Sequence, residues 1–255
     1  MRFFPLMLAV LLLAGCASSF GPDHASADSE KSRATASAKV HTELATLYYS
    51  ERSQMGIALS EIEQALRADP DYAPAYNVRG LLHMTLREDK EAEADFRHGL
   101  RLSKDDSEIH NNYGWFLCQR DREKESLPHF MAALKNPLYT TPERAWLNAG
   151  LCAQRAGKLK DAEEFLQRAL AVQPALPQAM FALAEINFAR GDIQAARKYF
   201  SGAIERTETP SAEQLWLGVR IERKAGNREA ERQYAVQLRK RFPDARETQL
   251  MMSGE

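Results

Sequence analysis

Hydrophobic and small residues recur along this chain in a two-part pattern. The segments YNVRGLLH (76–83), HNNYGWFL (110–117), WLNAGLCA (146–153), MFALAEIN (180–187) and QLWLGVRI (214–221) align on Gly80, Gly114, Gly150, Ala184 and Gly218, spaced by 34, 36, 34 and 34 residues. About twelve residues after each register point stands a second small residue: Ala92, Ser126, Ala162, Ala196 and Ala230. Four positions further on comes a large one: Phe96, Phe130, Leu166, Phe200 and Tyr234. Residues four apart share one face of a helix. The intervening sequence is rich in Ala, Glu, Leu and Arg, with few β-branched clusters, and favours helix throughout. The pattern therefore predicts two helices per period, with small residues where they approach and large ones filling the gap.

This two-part pattern resembles the tetratricopeptide repeat, whose consensus runs W-x2-L-G-x2-Y and then A-x3-F with a closing Pro. The fit extends back to residues 39–72, where Tyr49, Ala58, Ile62, Ala65 and Pro70 hold the expected offsets, and Pro174 closes a later repeat. Six repeats are placed at 39–72, 73–106, 107–140, 143–176, 177–210 and 211–244, with Thr141-Pro142 as the inserted pair. The resemblance implies an all-α, right-handed superhelical solenoid of about six repeats, with helix pairs often turning at Gly157, Gly191 or Gly226. One pair alone cannot bury its apolar faces, so neighbours must stack. Residues 245–255 form a C-terminal tail expected to cap the last repeat and then fray.

The N-terminus reads as an address. MRFFPLMLAVLLLAGCASS has one positive residue, an apolar run from about Leu6 to Leu13, and then small residues. The run is too short to span a bilayer, so residues 1–15 are expected to be a signal peptide. Leu13-Ala14-Gly15-Cys16 resembles the bacterial lipobox, which implies lipidation of Cys16. Ala17, rather than Asp, stands in the next position, and the resemblance to sorted lipoproteins of Gram-negative cells then implies the outer membrane, with the folded part on its periplasmic face. Residues 16–38 are assigned as the lipidated Cys and a flexible tether, because this Ser/Ala/charge-rich tract carries almost nothing that could form a core. As a flexible chain it would span about 25 Å root-mean-square.

The formal net charge of −1 gives no electrostatic case for nucleic acid. No phosphate-binding loop, H-E-x-x-H or paired CxxC is present, so neither a catalytic constellation, a metal site nor a cofactor is expected, and no small-molecule substrate. Cys118 and His110 lie eight residues apart, but no oxyanion site or third partner accompanies them. Cys118 and Cys152 fall on the first helices of adjacent repeats: in an oxidising periplasm they form a disulfide, or else remain two buried thiols. By repeat architecture, Asn77, Leu81, Met84, Asn111, Trp115, Leu147, Leu151, Phe181 and Phe188 take offsets expected on the concave side, a mix able to hold an amphipathic or extended peptide. Asn77 and Leu81 stand where the carboxylate clamp of chaperone-binding repeats wants Lys and Asn, so a chaperone C-terminus is not the expected ligand.

Lipobox, short polar tether, six repeats and the segment NNYGWFLCQ together resemble the PilF/PilW family of type IV pilus biogenesis lipoproteins. The resemblance implies a non-enzymatic pilotin at the outer membrane that binds the type IV pilus secretin and promotes its localisation and multimerisation, or supports fibre stability. The alternative is another repeat lipoprotein, an accessory of outer-membrane protein assembly or of cell-wall synthesis.

Overall fold

The computed structural model describes residues 23–254; the signal peptide, Cys16 and the first part of the tether lie outside the described residues. Among the described residues the chain is helical and contains no strand. Six helix pairs follow one another: α1 (Asp23–Tyr49) with α2 (Met55–Ala68), α3 (Ala73–Leu86) with α4 (Asp89–Leu102), and α5 (Ser107–Cys118) with α6 (Glu123–Leu134). Then come α7 (Pro142–Arg155) with α8 (Leu159–Val172), α9 (Pro177–Arg190) with α10 (Ile193–Ile204), and α11 (Ala212–Ala225) with α12 (Arg228–Arg241). A last helix, α13 (Arg246–Ser253), closes the array.

The register residues of the sequence pattern meet inside the first five pairs, while Ala230 and Tyr234 of the last are half-buried. Ala58, Ala92, Ser126, Ala162 and Ala196 are fully buried, as are Ile62, Phe96, Phe130, Leu166 and, to within a trace, Phe200. A methyl group built onto Gly114 would stand 2.8 Å from a ring carbon of Phe130, so α5 and α6 approach as closely as they do because position 114 lacks a side chain. At the turn after α9, Gly191 adopts φ +83°, a left-handed conformation that favours glycine. Asp106, Asp192, Ser211 and Asn227 cap the helices that follow them through side-chain acceptors for backbone N–H groups, and Ser211 with Gln214 completes a capping box.

Stacking sets the curvature. The odd-numbered helices each touch the next odd-numbered helix, from α1 through α13, whereas among the described residues no even-numbered helix touches another. The first helices of the pairs therefore form a continuous inner layer and the second helices spread apart outside it, giving a concave face made by α1, α3, α5, α7, α9 and α11.

The N-terminal end differs from expectation. Residues 23–38, assigned to a flexible tether, continue α1 as helix. Ala, Lys and Glu there have high intrinsic helix propensity. The fully buried Ala38 and Ala45 pin the later part of the helix to the first repeat, and Thr35 Oγ1 donates to Asp69 Oδ2 at 2.7 Å. At the other end α13 caps the array, burying Met251 and Thr248 against the last pair, and Thr248 Oγ1 donates to the Phe242 carbonyl at 2.6 Å.

Candidate peptide-binding face

The inner face is built from residues of six successive odd-numbered helices, so its chemistry changes from one end to the other. The nine expected groove residues separate into two groups. Leu81, Met84, Trp115, Leu147, Leu151 and Phe188 are half-buried on inner helices, each resting on a core cluster with part of its surface open. Asn77, Asn111 and Phe181 are buried, although Asn77 still borders an open cleft with residues of α1, α3 and α5. This corrects the expectation for Asn111, which packs between repeats, and for Phe181, which packs against Phe200 of its own repeat.

Asparagines stitch the inner layer together. Asn112 Nδ2 on α5 donates to Asn77 Oδ1 on α3 at 3.1 Å, and Asn148 Nδ2 on α7 donates to Asn111 Oδ1 on α5 at 3.0 Å. Side-chain amides thus hold three adjacent inner helices in register, in a layer where each backbone is already satisfied within its own helix. Asn111 is completely buried, and its Nδ2 finds no partner among the described residues. Phe181 packs edge-on to Phe200 with ring centroids 5.8 Å apart, so its ring belongs to the interior of the fifth repeat.

Beneath Trp115 lies a cluster of Cys118, Phe130, Ala149 and Cys152. Cys118 and Cys152 form a disulfide between α5 and α7, with Cα atoms 5.8 Å apart, and Ser126 Oγ lies 3.1 Å from Cys152 Sγ. The bond occupies the Cys118 sulfur, which therefore presents no thiolate. His110 turns elsewhere: its Nδ1 faces His129 Nδ1 at 2.9 Å and its Nε2 lies 2.9 Å from the Lys104 carbonyl. Burial, and then the nearby His110, push the His129 imidazole down to about 4. No catalytic arrangement of Cys118 and His110 exists.

Toward the C-terminal end the inner face becomes polar. Gln154 on α7 donates to Glu185 on α9 at 2.9 Å. The surrounding helices desolvate Glu185 even though its side chain stays partly exposed, and this raises its carboxyl above the ordinary range. Arg220 on α11 lies over Phe188 and Trp216. Sequence reasoning passed over Glu185, Trp216 and Arg220, because charged residues in a helical repeat read as a solvated face. The one available signal was the spacing of about 34 residues from Leu151 to Glu185, which gives both the same repeat position.

A family model described as tetratricopeptide repeat matches residues 44–107, 124–177 and 147–213. The type IV pilus assembly protein PilF of Pseudomonas aeruginosa is 26% identical over 203 residues, 80% of each chain. The crystal structure of PilW, described as a widely conserved type IV pilus biogenesis factor, superposes with a TM-score of 0.76 at 37% identity, covering 84% of this chain and 98% of that one. A structure of the Pseudomonas aeruginosa pilF product gives a TM-score of 0.79 at 24% identity, over 88% of this chain and 99% of that one, a likeness of fold. The repeat pattern, the solenoid and these likenesses together make the chain a member of the PilF/PilW family of type IV pilus biogenesis proteins, built on tetratricopeptide repeats.

Proposed function

We propose that this protein is a lipid-anchored scaffold on the periplasmic face of the outer membrane that binds the type IV pilus secretin and promotes its localisation and multimerisation. The observation that carries this reading is the inner face: half-buried Leu81, Met84, Trp115, Leu147, Leu151 and Phe188 on successive inner helices form a strip able to hold a partner segment. Apolar side chains of an extended or amphipathic segment would gain burial against that strip, and amide and charged groups beside it would fix orientation. The action is non-covalent. Membership of a type IV pilus biogenesis family supports a pilus component as partner. The lipobox at Leu13-Ala14-Gly15-Cys16 supports the anchor, and Ala17 the outer-membrane address. A tethered scaffold raises the effective concentration of its partner at the membrane without any added contact.

Deletion of the gene, followed by a heat-resistant secretin multimer assay and a twitching assay, tests the proposal. Loss of multimers together with loss of twitching is the expected result. Normal multimers with normal twitching would remove it.

A further inference from the structure

Many arginines in this chain are paired with carboxylates across helices: Arg79 with Asp95, Arg120 with Asp89, Arg122 with Glu93 and Arg197 with Glu222. Arg220 is different. Its guanidinium carbon lies 5.0 Å from the ring centroid of Phe188 and 5.7 Å from that of Trp216. It makes no hydrogen bond or ion pair with any described residue, and its Nε is both shielded from water and without a partner. Guanidinium carries five donors and no acceptor, and a shielded donor left unpaired is costly. Two aromatic rings flank the group without engaging its terminal N–H donors, which remain available.

We propose that Arg220 anchors a binding site for a single carboxylate carried by an extended, otherwise apolar peptide on the inner face of the last two repeats. A carboxylate is the acceptor that matches the guanidinium fork in geometry and charge. The desolvation that depresses the Arg220 guanidinium would be offset by such a partner. Glu185, the carboxylate whose charge acts on Arg220, does not fill the role: it is bonded to Gln154 and lies beyond ion-pair reach of Arg220. Glu185 also sets the selectivity, because an acid near the arginine, itself close to Glu213, disfavours a polyanion and leaves room for one charge. The open part of the Phe188 ring offers apolar cover beside the fork. The inference rests on the inner face being a peptide-binding surface, and not on which protein supplies the peptide.

The test uses the full-length protein in detergent, labelled with 15N-arginine, and follows the arginine Nε–H resonances. Three probes are titrated: N-acetyl-leucyl-aspartyl-leucinamide, N-acetyl-trileucine with a free C-terminus, and the uncharged N-acetyl-leucyl-asparaginyl-leucinamide. A saturable shift of the Arg220 resonance is expected with an acidic probe and not with the asparaginyl one. A response to the first probe alone identifies an acidic side chain as ligand, and a response to the second alone a chain terminus. Arg220→Lys keeps the charge but loses the fork, and should weaken the acidic probe at least tenfold, about 1.4 kcal/mol. Glu185→Gln should tighten it. No saturable shift by about 10 mM of either acidic probe, or an equal shift from the asparaginyl probe, overturns the proposal. The readout is the arginine itself, so a negative result leaves the secretin assay of the whole protein untouched.

Discussion

Replacing Gly114 with Ala adds one methyl group to α5 at a place where the structure fixes what it meets. The new Cβ would stand 2.8, 3.0 and 3.2 Å from three ring carbons of Phe130. Phe130 is fully buried and packed among Cys118, Ala149 and Cys152, two of which are joined by the disulfide, so the ring can yield only toward the small cleft it borders with Leu127 and Phe165. Overpacking of this kind costs about 1–3 kcal/mol. Alanine in a helix is favoured over glycine by about 1 kcal/mol, which hides part of that cost. A matched control removes the ambiguity. Gly56 lies in the first turn of α2, where an added methyl group would meet nothing within 4 Å, so Gly56→Ala receives a propensity gain, at most that of an interior position, without the clash. The difference in unfolding free energy between the two variants, measured by urea denaturation followed by circular dichroism, should be about 1–3 kcal/mol, with Gly114→Ala the less stable. If Gly114→Ala matches or exceeds Gly56→Ala, the close approach of α5 to α6 does not govern packing and the account of the register glycines fails.

Reducing the Cys118–Cys152 disulfide, whose partners are 34 residues apart, should lower the melting temperature in dithiothreitol. The chain-entropy contribution of such a loop is about 3–4 kcal/mol. A melting temperature insensitive to reductant would refute this. His129 has its pKa lowered to about 4, so the unfolded chain takes up its proton first as pH falls, and stability should decline between about 6.5 and about 4. His129→Asn should flatten that part of the urea-midpoint profile, and an unchanged slope would count against it. Cys16→Ser should abolish metabolic palmitate labelling while leaving helix content unchanged, because position 16 lies outside the repeats. Labelling that persists would refute lipidation at Cys16.

The helix pairs could be read from sequence because the geometry repeats in residue type. Gly114 faces Phe130 as Gly80 faces Phe96, and such pairs leave a periodic trace. The helix over residues 23–38 was not legible, because an Ala/Ser/Lys/Glu tract without a core looks the same as a solvated coil or a solvated helix. What decides between them is a distant contact such as Thr35 to Asp69. The inner face was legible in outline only. Repeat position put Trp115 and Leu151 on it, but position alone could not show that Asn77 and Asn111 turn toward amides on neighbouring helices. Nor could it distinguish Arg220, without a partner over two rings, from Arg197, which is paired with Glu222.

The central claim is that the inner face holds the secretin, and Trp115 tests it most directly. Its ring rests on the Cys118–Phe130 cluster with part of its surface open, so Trp115→Leu keeps an apolar contact below while removing the exposed aromatic. Aromatic anchors of this kind commonly contribute 2 kcal/mol or more to an interface. The measurement is the equilibrium affinity of the full-length protein for the purified periplasmic part of the type IV pilus secretin, with urea midpoints recorded alongside. The account predicts at least a tenfold loss of affinity for Trp115→Leu, about 1.4 kcal/mol, at a nearly unchanged midpoint. Equal affinity for the two proteins would contradict it.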